Sequence, residues 1–156
     1  MGLSSAIRCQ VVETPADWMW ASAIRFAVFV NEQRVPFDEE LDEHDRDAFH
    51  VLTWLGDRPV GTGRLVTEGD TGRIGRMAVL PAARGAGVGS AVLRALLAEA
   101  ERRGLRSVHL AAQLHARPFY ARFGFVAGGP HFLDAGIWHQ RMERMVIPWD
   151  TPTPPP

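Results

Sequence analysis

The sequence predicts a mixed α/β (α+β) fold in which a mostly antiparallel sheet of about six to seven strands is flanked by helices. Two features indicate it: three apolar strands joined by short turns between residues 48 and 80, and a strand, helix, strand crossover after them. At 156 residues and 46% hydrophobic content, the chain can build one core of ordinary depth. We therefore expect one domain over residues 1–150 and a disordered proline-rich tail over residues 151–156.

The N-terminal third is predicted to contain one strand and one long helix. Residues 6–13 alternate loosely, as a strand does, and Thr14-Pro15 supplies an N-cap and a proline suited to the first helical position. The helix should continue to about Glu32 and is apolar around most of its circumference. Seven of the ten residues in the acidic segment, 38–47, are Asp or Glu, which favours a loop with one or two helical turns. This segment forms either a solvated face or a rim that attracts a cationic substrate.

The rest of the chain is predicted to alternate strands with helices. The strongest helical pattern runs from Val88 to Arg103, where apolar residues recur four apart and Gly104 supplies a C-terminal stop. A shorter helix is expected over residues 116–123, ended by Gly124. Five strands are expected after the acidic segment: residues 48–55, 59–67, 72–80, 107–112 and 137–147.

Charge and cysteine content narrow the classes of partner and compartment. With 17 basic and 18 acidic residues, the chain has no basic excess to neutralise phosphates or anionic lipid, so we expect neither nucleic acid nor membrane as a partner. No apolar run reaches the roughly 18 residues of a membrane span, and the N-terminus lacks a signal-peptide pattern. Cys9 is the single cysteine, which favours a reducing, cytoplasmic location. The acidic segment has no EF-hand frame, and no metal is expected.

The segment Arg84–Ser90 (RGAGVGS) lies between a predicted strand and a predicted helix. Glycines there allow backbone amides to approach a phosphate, and the helix dipole favours an anion, so the segment is either a pyrophosphate site or a plain glycine-rich connection. A Rossmann fold would place this loop after the first strand, with an acidic residue about twenty positions later, and neither condition is met. A Walker loop is excluded because the chain has no lysine.

The same residues resemble the signature of the GNAT superfamily of N-acetyltransferases, Arg/Gln-x-x-Gly-x-Gly/Ala, whose fixed places are filled by Arg84, Gly87 and Gly89. The preceding RIGRMAVLP resembles the superfamily's fourth strand, which splays from the fifth in a V-shaped split that holds the pantetheine arm. The segment FYARFGF, residues 119–125, is similar to a second recurring element of the superfamily, a short helix with a tyrosine. A closer likeness, to the ElaA/YjcF-like subgroup, covers nearly the whole chain through VFVNEQ, ExDxxDxxAxH and AAQLHARPFYARFGF.

The resemblance implies an acyl-CoA N-acyltransferase domain that moves an acetyl group from acetyl-CoA directly to a primary amine in a ternary complex, without a metal. Tyr120, the only tyrosine, is implied as the general acid, with a buried structural tyrosine as the alternative. The backbone N–H of Val79 would meet the oxyanion. Glu32 is either the general base, acting directly or through water, or an ordinary surface glutamate. The residues implied for cofactor binding are Met77, Ala78, Val79, Arg84, Gly85, Ala86, Gly87, Val88, Gly89 and Ser90.

Several polar residues are candidates for the acceptor site. A polar group on a core strand is costly unless paired, so Arg64, Arg76 and Gln113 either line the acceptor pocket or pair with the acidic segment. A lone histidine is either a titrating group or a hydrogen-bonded structural residue. The acceptor would be a small-molecule or peptide amine, and a homodimer is a family-level expectation. A non-catalytic acyl-CoA-binding protein and an autoinducer-synthase-like acyltransferase are the alternative functions. The candidate acceptor residues are Gln33, His50, Arg64, Arg76, Gln113 and His139.

Overall fold

The computed structural model describes residues 6–146, so the predicted tail lies outside the described residues. A π-helix, Phe26–Glu32, continues the first α-helix, and 3-10 turns occur at Glu43–Arg46, Pro81–Ala83 and Leu114–Ala116. The α-helices are α1 Pro15–Arg25, α2 Phe37–Glu40, α3 Val88–Arg102 and α4 Arg117–Ala121. The strands are β1 Ile7–Val11, β2 Phe49–Leu55, β3 Arg58–Glu68, β4 Thr71–Val79, β5 Ser107–Gln113, β6 Val126–Asp134 and β7 Ile137–Met145.

The strands form a seven-stranded sheet in the order β1-β2-β3-β4-β5-β7-β6. Antiparallel pairing joins β1 to β2, β2 to β3, β5 to β7 and β6 to β7, whereas β4 and β5 are parallel. The parallel ladder covers only Thr71–Arg73 against Ser107–His109, although both strands continue beyond it. The predicted mixed sheet and the split between its fourth and fifth strands are therefore confirmed.

Capping explains where the first helix begins. The Thr14 hydroxyl accepts a hydrogen bond from the Asp17 backbone N–H at 3.1 Å, and the Asp17 carboxylate accepts one from the Thr14 N–H at 3.2 Å. This capping box satisfies two N–H groups that the helix leaves unpaired. Helical structure continues to Glu32 as predicted, but its last seven residues form the π-helix. The acidic segment contains α2 and a 3-10 turn, as predicted.

The described chain divides into two compact units. The first unit comprises the described part of Met1–Val66 together with Ile74–Leu96, and the second comprises Thr67–Arg73 together with the described part of Leu97–Pro156. The expectation of one domain stays a prediction. In the first unit, the core joins α1 and the π-helix to β2 and β4 through Ala21, Ile24, Val28, Leu52 and Ala78. In the second, the buried residues include Val108, Leu110, Ala112, Phe125 and Met142.

One strand, β6, is not predicted by the residue pattern. Its sequence contains Gly128-Gly129-Pro130, and all nine of its residues are exposed, so no buried alternation marks it. The strand lies at the edge of the sheet and its register with β7 shifts between Gly128 and Phe132. A proline is tolerated at such an edge because its missing N–H interrupts no ladder. Within residues 6–146, no helix combines the length and the apolar character needed to cross a membrane.

Candidate active site

The predicted anion site is the glycine loop Arg84–Ser90 and the start of α3, in the first unit. Gly85 and Gly87 have φ angles of 85° and 88°, in the left-handed region that side chains disfavour. The first helical hydrogen bond runs from the Ala91 N–H to the Gly87 carbonyl at 3.1 Å. The N–H groups of Val88–Ser90 precede that bond and are the ones available to an anion.

Close packing on β3 fixes the start of α3. A Cβ added at Gly61 would lie 2.6 Å from Val88 Cγ1, and one added at Gly63 would lie 2.6 Å from Val92 Cγ1. Both valines are fully buried. The helix therefore lies against the strand at a distance that only glycine permits, which holds the N–H groups of its first turn in one place.

Arg84 is hydrogen-bonded to two other predicted site residues, Glu32 and Val79. Its Nη1 and Nη2 donate hydrogen bonds to the Glu32 carboxylate at 2.7 and 2.5 Å, and its Nε donates to the Val79 carbonyl at 3.0 Å. The Glu32 and Arg84 side chains are 39% and 45% exposed. The hydrogen bond from Arg84 lowers the pKa of Glu32. A carboxylate held in this way is a weaker proton acceptor than a free one.

The strand that leads to this loop contains a strained residue. Arg76 in β4 has a φ of 52°, a left-handed conformation that costs a non-glycine residue about 1–3 kcal/mol. Its guanidinium donates to the Glu40 carbonyl at 3.1 Å and to the Asp42 carboxylate at 3.2 Å. These bonds hold the left-handed residue that precedes Met77–Val79, the segment implied to bind the pantetheine arm.

Arg76 belongs to a mostly buried ion network that also contains Arg25 and Arg64. Arg25, only 1% exposed, donates to Glu40 Oε1 and to Asp45 Oδ1 at 2.6 Å each. Arg64 donates to Asp42 Oδ1 at 2.7 Å and to Asp45 Oδ1 at 2.8 Å. Arg64 and Arg76 therefore pair with the acidic segment, which is one of the two alternatives that the sequence left open. The sequence analysis did not predict that Arg25 takes part in this network. The signal that could have indicated it is an arginine on an otherwise apolar helix, shortly before an acidic segment.

Two further acceptor-site candidates, His50 and Gln33, belong to the first unit. His50 Nε2 donates to the Asp45 carbonyl at 2.8 Å, and its ring packs edge-on against Trp18. Burial lowers the pKa of His50, so its ring is neutral at pH 7. Gln33 follows the π-helix, where its backbone N–H donates to the Val28 carbonyl at 3.0 Å and its side chain is half-buried.

Tyr120 lies on α4, in the second unit. Its ring packs edge-on against Phe119 and Phe125, with centroids 5.1 and 5.9 Å away. Burial raises the pKa of Tyr120 to about 12, so the phenol keeps its proton at neutral pH. An open groove of about 580 Å³ beside α4 includes Pro118 and Ala121 in its lining and none of the predicted site residues.

Gln113 and His139 are direct cross-strand neighbours at the C-terminal end of β5 and the start of β7. His139 is 9% exposed, stacks on Phe132 with ring centroids 5.8 Å apart, and contacts the Ile137 carbonyl through Nδ1 at 2.7 Å. These two candidates and Tyr120 thus belong to the second unit. Among residues 6–146, no group of three His, Cys, Asp or Glu side chains is arranged to hold a metal ion.

Comparison with known proteins identifies the family. YjcF of Bacillus subtilis (strain 168), described as an uncharacterized N-acetyltransferase, is 41% identical over 120 residues, which cover 76% of this chain and 86% of YjcF. The protein ElaA of Escherichia coli (strain K12) is 35% identical over 129 residues, 80% of this chain and 84% of ElaA. A crystal structure of an acyl-CoA N-acyltransferase from Pseudomonas aeruginosa has a TM-score of 0.78 at 32% identity and covers 90% of this chain and 99% of that chain.

The family model for the acetyltransferase (GNAT) domain matches residues 20–146, a range that contains the glycine loop, β4 and Tyr120. Both named relatives are those that the sequence resemblance indicated. The chain therefore belongs to the GNAT acetyltransferase family.

Proposed function

We propose that this chain is an acetyl-CoA-dependent N-acetyltransferase that moves the acetyl group directly to a primary amine within a ternary complex. Membership of the GNAT family makes it an acyltransferase of an acyl-CoA-using fold. Beyond family membership, we propose that the transferred group is acetyl, that the acceptor is a primary amine and that the transfer is direct. The observation that carries it is the glycine loop, in which two left-handed glycines precede the free N–H groups of α3.

The residues of the first unit fit the pyrophosphate and pantetheine parts of an acyl-CoA. A Cβ built at Gly85 would meet no atom within 4 Å, and one built at Gly87 would come no closer than 3.6 Å, so the loop has open space beside it. The N–H groups of Val88–Ser90 would bind the pyrophosphate, and the backbone of Met77–Val79 would pair with the pantetheine arm. When bound, acetyl-CoA supplies an acetyl group activated as a thioester.

The chain's own residues would supply the polar chemistry. The Val79 N–H would donate to the thioester oxygen as negative charge develops on it. The Tyr120 hydroxyl, protonated at neutral pH, would donate its proton to the departing thiolate. The candidate acceptor residues of the first unit are Gln33, His50, Arg64 and Arg76, of which the last three already hydrogen-bond to the acidic segment. Those of the second unit are Gln113 and His139.

Calorimetric titration with acetyl-CoA, free CoA and octanoyl-CoA tests the binding half of the proposal. We expect saturable binding of acetyl-CoA, and loss of it in Gly87→Asp, since a side chain and a negative charge would both meet the pyrophosphate. Gly69→Asp is a matched control, because Gly69 also has a left-handed φ, 63°, and a Cβ there meets nothing within 4 Å. Normal binding by a folded Gly87→Asp protein would show that the site is misplaced.

Thiol release from acetyl-CoA with a panel of spermidine, tyramine, an aminoglycoside and a peptide with a free N-terminus tests the transfer. We expect Tyr120→Phe to lower turnover by roughly tenfold to a thousandfold while the affinity for acetyl-CoA stays near that of wild type. Unchanged turnover would remove Tyr120 from the mechanism. Binding without thiol release would indicate a non-catalytic acyl-CoA-binding protein, and a preference for octanoyl-CoA would favour an autoinducer-synthase-like acyltransferase.

A further inference from the structure

The first residue of β3 is an arginine that the proposed mechanism does not use. Arg58 is exposed, and within residues 6–146 no group forms an ion pair or a hydrogen bond with its guanidinium. Four other arginines of the first unit, by contrast, hydrogen-bond to carboxylates: Arg25, Arg64, Arg76 and Arg84. Arg58 therefore keeps its charge and its donor groups for solvent or a ligand.

The sheet register shows on which face of the sheet the Arg58 side chain lies. Leu55 is the direct cross-strand partner of both Arg58 on β3 and Ile7 on β1, and direct partners share a face. Leu55 packs against the buried cluster that contains Ala83 and Val88, the first residue of α3. Arg58 therefore lies on the face that α3 covers.

The direction of α3 places Arg58 ahead of the N-terminus of this helix. A Cβ added at Gly61 would lie nearest to Val88, and one added at Gly63 nearest to Val92, so helix and strand run in the same direction. Arg58 precedes Gly61 by three residues, which is roughly 8–10 Å of strand. The free N–H groups of the first turn of α3 point in this direction. Arg58 thus lies on the side from which an anion approaches them.

The glycine loop lies over the same row of side chains. A Cβ added at Gly87 would be 3.6 Å from Ile7 Cδ1. Ile7, Leu55 and Arg58 follow one another across β1, β2 and β3, so the loop and the Arg58 side chain border one surface. This row, the loop and the start of α3 all belong to the first unit.

An acyl-CoA carries its negative charge at two places, the pyrophosphate and the 3′-phosphate of the ribose. The N–H groups of Val88–Ser90 match the pyrophosphate, and Arg84 is already held by Glu32. A cation that lies well ahead of these N–H groups matches the second phosphate rather than the first. The planar guanidinium of an arginine can bind a phosphate through two parallel hydrogen bonds.

We propose that Arg58 binds the 3′-phosphate of the acyl-CoA and makes the site selective for CoA over 3′-dephospho-CoA, an inference that rests on the proposed function. Arg58 is a binding residue and takes no part in acetyl transfer. Because Arg58 is exposed, the contact contributes less than a buried ion pair would. We expect the wild-type protein to bind acetyl-CoA about three- to tenfold more tightly than acetyl-3′-dephospho-CoA.

The test is calorimetry with these two ligands on the wild-type protein and on three variants. Arg58→Gln should bind both ligands with the affinity that the wild-type protein has for the dephospho form. Arg58→Glu should bind the dephospho form more tightly than acetyl-CoA, because a carboxylate would then face the 3′-phosphate. The matched control is Arg46→Gln, which loses the same charge from an exposed arginine that precedes β2, at the end of β2 opposite the turn to β3. This control should keep the full preference.

The ratio of the two affinities separates the role of Arg58 from an effect on folding, since a smaller folded fraction changes the stoichiometry and not the ratio. Wild-type discrimination in Arg58→Gln, or a loss of affinity that is equal for both ligands, would overturn the assignment to the 3′-phosphate. Equal affinities in the wild-type protein would also overturn it. Each of these results would leave the proposed function standing, whereas a wild-type protein that binds neither ligand would overturn both.

Discussion

Removing Arg25 should destabilise the fold more than removing any surface arginine, because Arg25 neutralises two carboxylates away from water. It is 1% exposed, and its partners Glu40 and Asp45 have side chains only 6% and 9% exposed. In Arg25→Met the apolar stem is replaced but both carboxylates lose a hydrogen-bonding cation. Asp45 would keep Arg64 at 2.8 Å, whereas the nearest remaining cation to Glu40 would be Arg76 at 3.9 Å.

The expected cost follows from that uncompensated charge. Breaking a buried ion pair by removing one partner costs about 3–5 kcal/mol. For a chain of this size each kcal/mol shifts Tm by about 2–4 °C, so we expect a Tm lower by about 6–20 °C. The double variant Arg25→Met/Glu40→Gln should lose less than the sum of the two single variants, because the second change removes the charge that the first leaves unpaired.

Urea unfolding followed by tryptophan fluorescence measures these free energies, and Trp18 reports directly, since its ring lies 5.6 Å from the Arg25 guanidinium. The control is Arg73→Met, whose ion pair with Glu68 is 38% and 46% exposed and should contribute no more than about 1 kcal/mol. If Arg25→Met lost less than about 1.5 kcal/mol, or no more than the control, the reasoning from burial would be refuted.

Three further predictions concern packing, acid stability and the loop. Gly61→Ala should cost about 1–3 kcal/mol by overpacking, whereas Gly75→Ala, where a Cβ meets nothing within 4 Å, should not destabilise, as urea unfolding would show. Burial raises the pKa of Asp45, but hydrogen bonds and the opposite charge of Arg25 outweigh burial, so the net effect is a lowered pKa. The contribution of ionised Asp45 to the free energy of unfolding should therefore be complete above about pH 4 and be lost as the pH falls further. Acid titration of the unfolding free energy measures this, and stability that rose on acidification would contradict it. Glu32→Gln should tighten acetyl-CoA binding by up to about fivefold in calorimetry, because it frees Arg84 and removes a negative charge beside the anion loop; weaker binding would show that Glu32 positions Arg84.

Local sequence rules were sufficient for most of the fold because the signals they use are local. Thr14-Pro15 begins α1 through a capping box, and Gly104 follows α3 with a left-handed φ of 70°. The π-helix has no such signal, since its 7 residues differ from an α-helix only in hydrogen-bond register. The edge strand β6 escapes prediction because exposure on both faces removes the alternation that marks a strand.

The candidate site was predictable where backbone conformation decides it and not where side-chain partners decide it. The glycine pattern specifies left-handed residues before α3, and Gly85 and Gly87 adopt them. Side-chain pairing is harder to predict than backbone conformation, because the sequence does not specify which carboxylate an arginine contacts in the folded protein. Glu32 illustrates this: its position favoured a base, yet its partner is Arg84, 52 residues later.

The acidic segment divides into a part that is paired with arginines and a part that is exposed. Glu40, Asp42 and Asp45 turn inward and are matched by three arginines, so this network carries no net charge. The four remaining acids, by contrast, are exposed: Asp38, Glu39, Glu43 and Asp47. Any attraction that the acidic segment exerts on a cationic amine must therefore come from these four, and because they are exposed, salt should weaken it over a Debye length of about 8 Å. A rim of this kind would raise the rate of acceptor capture rather than the affinity of the bound amine.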